Sequence, residues 1–272
     1  MPQKQYRTNF PVQCGCNAHV ASGFFCVKII FDNALKRGVD EIYVTLFENK
    51  RDDVKQLKEL MERWGFCRYG YKDNGELVLV KSLEKYDDAK TPKHNFPVIK
   101  NNPKFFWLPI YPEYHTDLFP DMILKNEDMH LYEEKKAHRY ALEKIYLSGL
   151  YKTDAQPGDI MMIYRTGELY PKKYSSVITG IAVIESITDT KSVDECLELC
   201  KNRSVFEEKE IVEMHRKRPR VIKLLDYKPF VNKVTLDYLW QQGILNFPNG
   251  PQTFDPITKE QYESILKYGT ER

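Results

Sequence analysis

The sequence predicts a protein of mixed α/β and α+β class in two units. A smaller unit covers residues 1–84 and a larger one 104–272, with residues 85–103 as a linker. Three observations carry this. Up to residue 84, apolar residues at three- and four-residue spacing alternate with β-branched runs, in the order helix, strand, helix, strand, strand. Beyond residue 104, dense apolar strand runs are separated by short helical patterns. Between them lies a polar stretch broken by Pro92, Pro97 and Pro103.

The first 23 residues are irregular, with room for one strand. Phe24, Val27, Ile30, Phe31 and Leu35 mark a helix over 24–37, with Ser22 as its N-cap and Gly38 as its stop. Residues 41–47 are β-branched and aromatic, hence a strand. Val54, Leu57, Leu60, Met61 and Trp64 line one face of a helix over 52–64 that Gly65 ends. Asp73, Asn74 and Gly75 join strands 66–72 and 76–81 as a hairpin. In the larger unit, strands are expected at 105–111, 159–165, 176–186 and 221–227. Helices are expected at 193–201, 207–215, 236–242 and 258–268. Ser192 with Glu195, and Thr258 with Gln261, have the spacing of capping boxes.

Composition narrows the function classes. Lys and Arg number 41 against 39 Asp and Glu, a net charge of +2, so a globally basic nucleic-acid coat is excluded and any such surface is local. Hydrophobic residues make up 42% and charged residues 29%, which argues against disorder. Aromatic residues reach 13%, favouring cores or pockets built from rings. No apolar run approaches the ~20 residues that span a bilayer, and the start lacks the apolar core of a secretory signal. Six cysteines are too sparse for a disulfide scaffold. The expectation is a cytoplasmic, soluble protein.

The stretch 23–83 resembles the C-terminal half of the GNAT family of N-acetyltransferases. The residues that carry this are Asn33 to Gly38 at a helix end, the strand from Ile42 to Phe47, and Glu62, Arg63, Trp64, Gly65 and Phe66 closing the second helix. The resemblance implies acetyl-CoA as cofactor. Its diphosphate would be held by main-chain amides at a helix start, here Ser22, Gly23, Phe24 and Phe25, and its pantetheine along a splayed strand at Tyr43, Val44 and Thr45. The family's glycine-rich turn is represented only by Gly23, and Met61 stands where a proton-donating tyrosine is usual. No catalytic residue is assigned. The alternative is a partial fold serving as a dimerisation scaffold, which leaves a homodimer open.

The stretch 104–270 resembles the PUA-like superfamily of ASCH and EVE domains, a mixed β-barrel with peripheral helices. The resemblance rests on Pro157, Gly158 and Asp159 opening the strand to Tyr164, on the strand from Ser176 to Glu185, and on the terminal helix from Ile257. The Gly-x-Lys-x-x-x-Glu-x-Arg pattern associated with ASCH domains is not found. What the resemblance implies is a ring-lined pocket for a nucleobase, RNA, tRNA or a modified base being the partner. Candidate rings are Trp107, Tyr111, Tyr114, His115 and Tyr164, with Arg165 beside them. A second feature is charge. Between 216 and 233, seven cations, including Arg216, Arg218 and Arg220, face one acid, Asp226. Such a cluster neutralises phosphates; the alternative is a solvated surface.

Other constellations carry less. Cys14, Cys16 and His19 are zinc-ligand types without a finger's spacing, and no metal is expected. The segment Tyr111 to Asp117 joins an acid, an imidazole and a hydroxyl, and reads as a hydrogen-bonded corner. Two functions remain: an acetyltransferase directed to nucleic acid, or a non-enzymatic nucleic-acid or modified-base binder, with a stress- or defence-related regulator as a variant of the latter.

Overall fold

Two antiparallel-rich sheets meet along one shared apolar cluster. The computed structural model describes residues 20–48, 52–122, 141–149, 153–167, 171–201, 203–218 and 220–271, with only the backbone at 20–26, 121 and 227. Helix α1 (Val20–Arg37) leads to β1 (Glu41–Leu46), α2 (Asp52–Arg63), β2 (Cys67–Tyr71) and β3 (Leu77–Ser82). These strands form a sheet in the order β1-β3-β2. Ile42, Val44 and Leu46 point to the helices and Tyr43 and Thr45 to the outer face, the period-2 alternation of a half-covered sheet. Gly65 ends α2 at φ +84, and a side chain there would run into the His94 carbonyl and the Lys81 ammonium.

Residues 85–103 are folded. Thr91 caps the short α3 (Pro92–Asn95). Asn95 is buried, accepting from the Asp87 amide at 2.8 Å and donating to the Asp87 carbonyl at 2.9 Å. Lys81, also buried, donates to the carbonyl of His94 at 2.5 Å, and burial lowers its pKa to about 8. Phe96 then enters a core made by Phe31, Trp64, Phe66 and Leu79. That core also takes Leu142, Val183 and Leu225 from the larger sheet.

The larger sheet is built from β4 (Phe105–Ile110), β5 (Glu143–Ser148), β6 (Ile160–Arg165), β7 (Val177–Asp189), β8 (Arg220–Thr235) and β9 (Pro256–Ile257). Their order is β5-β8-β7-β6-β4-β9, with only β4 and β6 parallel. Both faces are covered. Phe105, Trp107, Ile160, Met162 and Tyr164 pack one way, and Phe106, Leu108, Ile110, Met161 and Ile163 the other. That is why these strands read as continuous apolar runs. The long β7–β8 pair is interrupted by register shifts at Ile178/Gly180, Ile181/Ala182 and Ile184/Ser186, which sharpen its twist. A side chain at Gly180 would meet the Lys228 carbonyl.

Helices α4 (Pro112–Leu118), α5 (Lys172–Ser175), α6 (Val193–Cys200), α7 (Glu208–His215), α8 (Leu236–Gln241) and α9 (Lys259–Thr270) surround the sheet. The expected cap at Ser192 is present, accepting from the Glu195 amide. At α9 the Thr258 hydroxyl accepts from the Gln261 amide, and the Gln261 side chain accepts from the Thr258 amide. Thr258→Ala is expected to lower stability by ~1 kcal/mol in urea unfolding, the usual cost of a lost N-cap.

Three expectations are corrected. The first helix is continuous from Val20, so Ser22 is inside it and not its cap. The strand expected at 221–227 is β8 and runs to Thr235, because bulges let it follow β7 and accommodate Pro229 opposite Gly180. The corner at 111–117 is the helix α4, started by Pro112 in its first turn.

Candidate functional site

A pocket opens where β4 ends. Beyond Ile110 the chain turns at Tyr111 into α4, whose Leu118 is buried, as are Phe119 and Met122 just beyond it. That packing fixes Tyr114, whose ring lies 4.7 Å from Phe206 at 59°. Phe206 belongs to a strap, residues 203–206, that follows α6; its amide donates to the Ser204 hydroxyl at 3.1 Å. From β5, Tyr146 donates its hydroxyl to the Pro109 carbonyl at 3.3 Å and packs on Phe254. Arg218, in the turn after α7, completes the wall. The cavity itself is small, about 40 Å³, and opens to solvent between Ile110, Tyr111, Tyr114, Tyr146, Phe206 and Arg218, among others.

The electrostatics are those of neutral rings beside one cation. Burial pushes the Tyr146 phenol up; Arg218 draws it down and Tyr111 adds a smaller upward push, so both lie within its field. Tyr111 is 57% exposed and its ring stands clear of the core. Arg218 is half-buried, and Arg216 and Lys217 beside it are exposed. Among the described residues, no carboxylate pairs with these three cations.

The expected site residues divide sharply. Tyr111, Tyr114 and Arg218 meet at the pocket, with Arg216 next to it. Trp107 and Tyr164 are 3% exposed and belong to the opposite core. His115 points inward and is fully buried, its Nε2 2.8 Å from the Thr179 hydroxyl. Arg165 is buried and donates to the Ser175 carbonyl at 3.5 Å. Arg220 is committed to Asp189, with bonds of 2.5 and 2.8 Å from Nε and a terminal nitrogen. With its guanidinium held by that carboxylate, Arg220 is less available than its exposed neighbours Arg216 and Lys217. Tyr146 and Phe206 were not among the expected rings. The short apolar run Ile145, Tyr146, Leu147 was the signal available for the first; for Phe206 there was only the pair it makes with Val205 in an otherwise polar stretch.

The acetyl-CoA expectation fares differently. Ser22, Gly23, Phe24 and Phe25 lie within the first turns of a helix, not in a turn preceding it. β1 is an edge strand, paired with β3 residue by residue from Glu41↔Ser82 to Leu46↔Leu77. Val44 packs toward the core, while Thr45 is exposed and Tyr43 carries its ring against Tyr69 on the outer face. Cys14, Cys16 and His19 lie outside the described residues. Among the described residues no group of three or more His, Cys, Asp or Glu is arranged to hold a metal, and no helix is long and apolar enough to cross a membrane. Cys196 and Cys200 are buried in α6, and burial pushes the Cys200 thiol up to about 12.

No family model and no curated protein matches this sequence. Solved structures give a similarity to an ASCH protein from Zymomonas mobilis, 14% identical over 62% of this chain and 99% of that one, with a TM-score of 0.43. A serine-to-alanine variant of the same protein is 16% identical over 61% and 96%, and a tyrosine-to-phenylalanine variant 14% identical over 61% and 98%, each with a TM-score of 0.42.

Proposed function

We propose that one unpaired base of a single-stranded nucleic acid stacks across the mouth of the pocket, and that the turn at 216–218 meets the adjoining phosphate. The observation that supports this is the convergence of Tyr111, Tyr114, Tyr146 and Phe206 on one concavity with the guanidinium of Arg218, which no carboxylate of the described residues pairs. Stacking on aromatic faces is tolerant of base identity and contributes ~1–3 kcal/mol per base. Guanidinium geometry matches two phosphate oxygens at once. A protein of net charge +2 has little general affinity for nucleic acid, so a local cation cluster has to supply it. The described residues of the lining are aromatic, aliphatic and one guanidinium, groups suited to stacking and phosphate contact.

The test is binding of a fluorescent single-stranded oligonucleotide across a salt series. Arg218→Glu is expected to weaken binding and to reduce the slope of log affinity against log salt by about 0.7 or more, the loss of at least one phosphate contact. An unchanged slope removes the 216–218 turn from the interface.

A further inference from the structure

Behind the pocket wall, a buried charged cluster draws on segments far apart in sequence. Glu143, at the start of β5, is 2% exposed. The Lys93 ammonium, from α3, lies 2.9 Å from its Oε2, and Arg203 Nε lies 3.7 Å from the same oxygen. Glu185, on β7 beside the Ile184/Ser186 bulge, has its Oε2 buried without a hydrogen-bond partner among the described residues and lies near enough to Glu143 for the two carboxyls to share a proton. Lys223, from β8, lies in the field of Glu185. The charged groups that face the carboxyl pair are thus Lys93 from α3, Lys223 from β8 and Arg203 from the strap. The Lys28 ammonium from α1 is engaged 3.1 Å from Asp226.

Arg203 is the first residue of the strap whose Val205 and Phe206 form one side of the pocket. We propose that Arg203 is a positioning residue for the pocket: it latches the strap onto the Glu143–Glu185 pair, and the proton shared by that pair sets how firmly the latch holds. As a statement about ligand binding, this rests on the ring pocket being the ligand site; as a statement about the strap, it does not.

The charge arithmetic gives the direction. With Glu185 protonated, three cations face one negative charge; with the proton lost, they face two. Lys93 is already in close contact, whereas Arg203 is the longer contact and its side chain is 28% exposed, so the added charge acts mainly on Arg203. Burial opposes ionisation of Glu143, and Lys93 above all outweighs it, keeping that carboxyl below its ordinary value. For Glu185, burial first and the Glu143 charge second raise it to about 7, so the second charge arrives near neutrality. The strap is held more firmly above that pH, and Phe206 is then presented to the bound base.

Two readouts on the full chain test this. Without ligand, the hydrogen-exchange protection of the Phe206 amide, corrected for the intrinsic rate, is followed from about pH 6 to about pH 8. Over the same range the affinity for a single-stranded oligodeoxythymidylate is measured by anisotropy. Protection and affinity are both expected to rise about three- to fivefold with pH, the scale of a part-exposed ion pair. Glu185→Gln flattens both curves, Arg203→Gln lowers both at the upper end, and Arg203→Lys recovers part of the loss. Protection without a step in the wild type, or with the same step in Glu185→Gln, overturns the latch. If the oligonucleotide fails to bind at any pH, the nucleobase reading falls, and the exchange data alone decide the latch.

Discussion

Acidification from about pH 6.5 to about pH 3 strips the fold of stability through His115, by up to ~5 kcal/mol. The imidazole is fully buried, and burial, reinforced by the charges of Arg165 and Lys233, holds its pKa down to about 3, against an ordinary 6.5. The unfolded chain therefore takes up a proton that the folded chain refuses. Where the unfolded state binds more protons, stability falls as pH falls, so the loss begins near 6.5 and is complete near 3. Glu185 works in the opposite direction. Its carboxyl is raised to about 7, so the folded chain holds the extra proton between the ordinary carboxylate value and neutrality, and that contribution fades as pH rises through 7. Urea unfolding at a series of pH values separates the two. His115→Gln keeps a partner for the Thr179 hydroxyl and does not titrate, and it is expected to remove most of the acid limb. An acid limb identical in this variant and the wild type would show that His115 is not the group responsible.

Phe31→Ala is expected to cost ~3–5 kcal/mol, the range for truncating a buried phenylalanine. Phe31 is completely buried, with Trp64, Phe66 and Phe96 at ring separations of 5.5, 6.3 and 5.4 Å. The cluster that contains it also holds Leu142, Val183 and Leu225, residues of the larger sheet and its approach. A cavity there loosens the seam between the two sheets and not one unit alone. Urea unfolding followed by tryptophan fluorescence and by circular dichroism should shift together, because Trp64 reports the seam and Trp107 the larger core. A loss below ~1 kcal/mol, or an early transition seen by one probe only, would mean that the seam contributes little.

The elements legible in the sequence were those whose signals are local. The Thr258 capping box, the Ser192 cap, the Asp73–Gly75 hairpin and the apolar runs of β6 and β7 follow from residues close together in the chain. What was hidden depends on distant partners. β5 begins with Glu143 and Lys144, which look like surface residues, yet both are buried. Glu143 is accommodated by Lys93 and Arg203, 50 and 60 positions away. Arg220 reads as one more member of a basic run, but Asp189 claims it. The linker looked open because its polar groups satisfy one another through Asn95, which no composition reveals.

The candidate site follows the same division. Strands buried on both faces carry rings in both directions, so periodicity cannot separate Trp107 and Tyr164, which are core, from a ring that faces a ligand. The rings that reach the pocket sit at the start of α4, in β5 and in the strap. The partial GNAT resemblance rested on three short segments, Asn33 to Gly38, Ile42 to Phe47 and Glu62 to Phe66. In the structure β1 pairs along its whole length with β3, and that pairing was not legible because the partner strand lies about 35 positions on.

The most direct measurement compares a single-stranded oligonucleotide with a fully abasic strand of the same length and charge at one salt concentration. If a base stacks among Tyr111, Tyr114 and Phe206, the wild type discriminates by ~1–3 kcal/mol, and Tyr114→Ala removes most of that difference while leaving the abasic affinity unchanged. Equal affinity of the wild type for the two strands would contradict the account, leaving only the cations of the 216–218 turn in contact with the backbone.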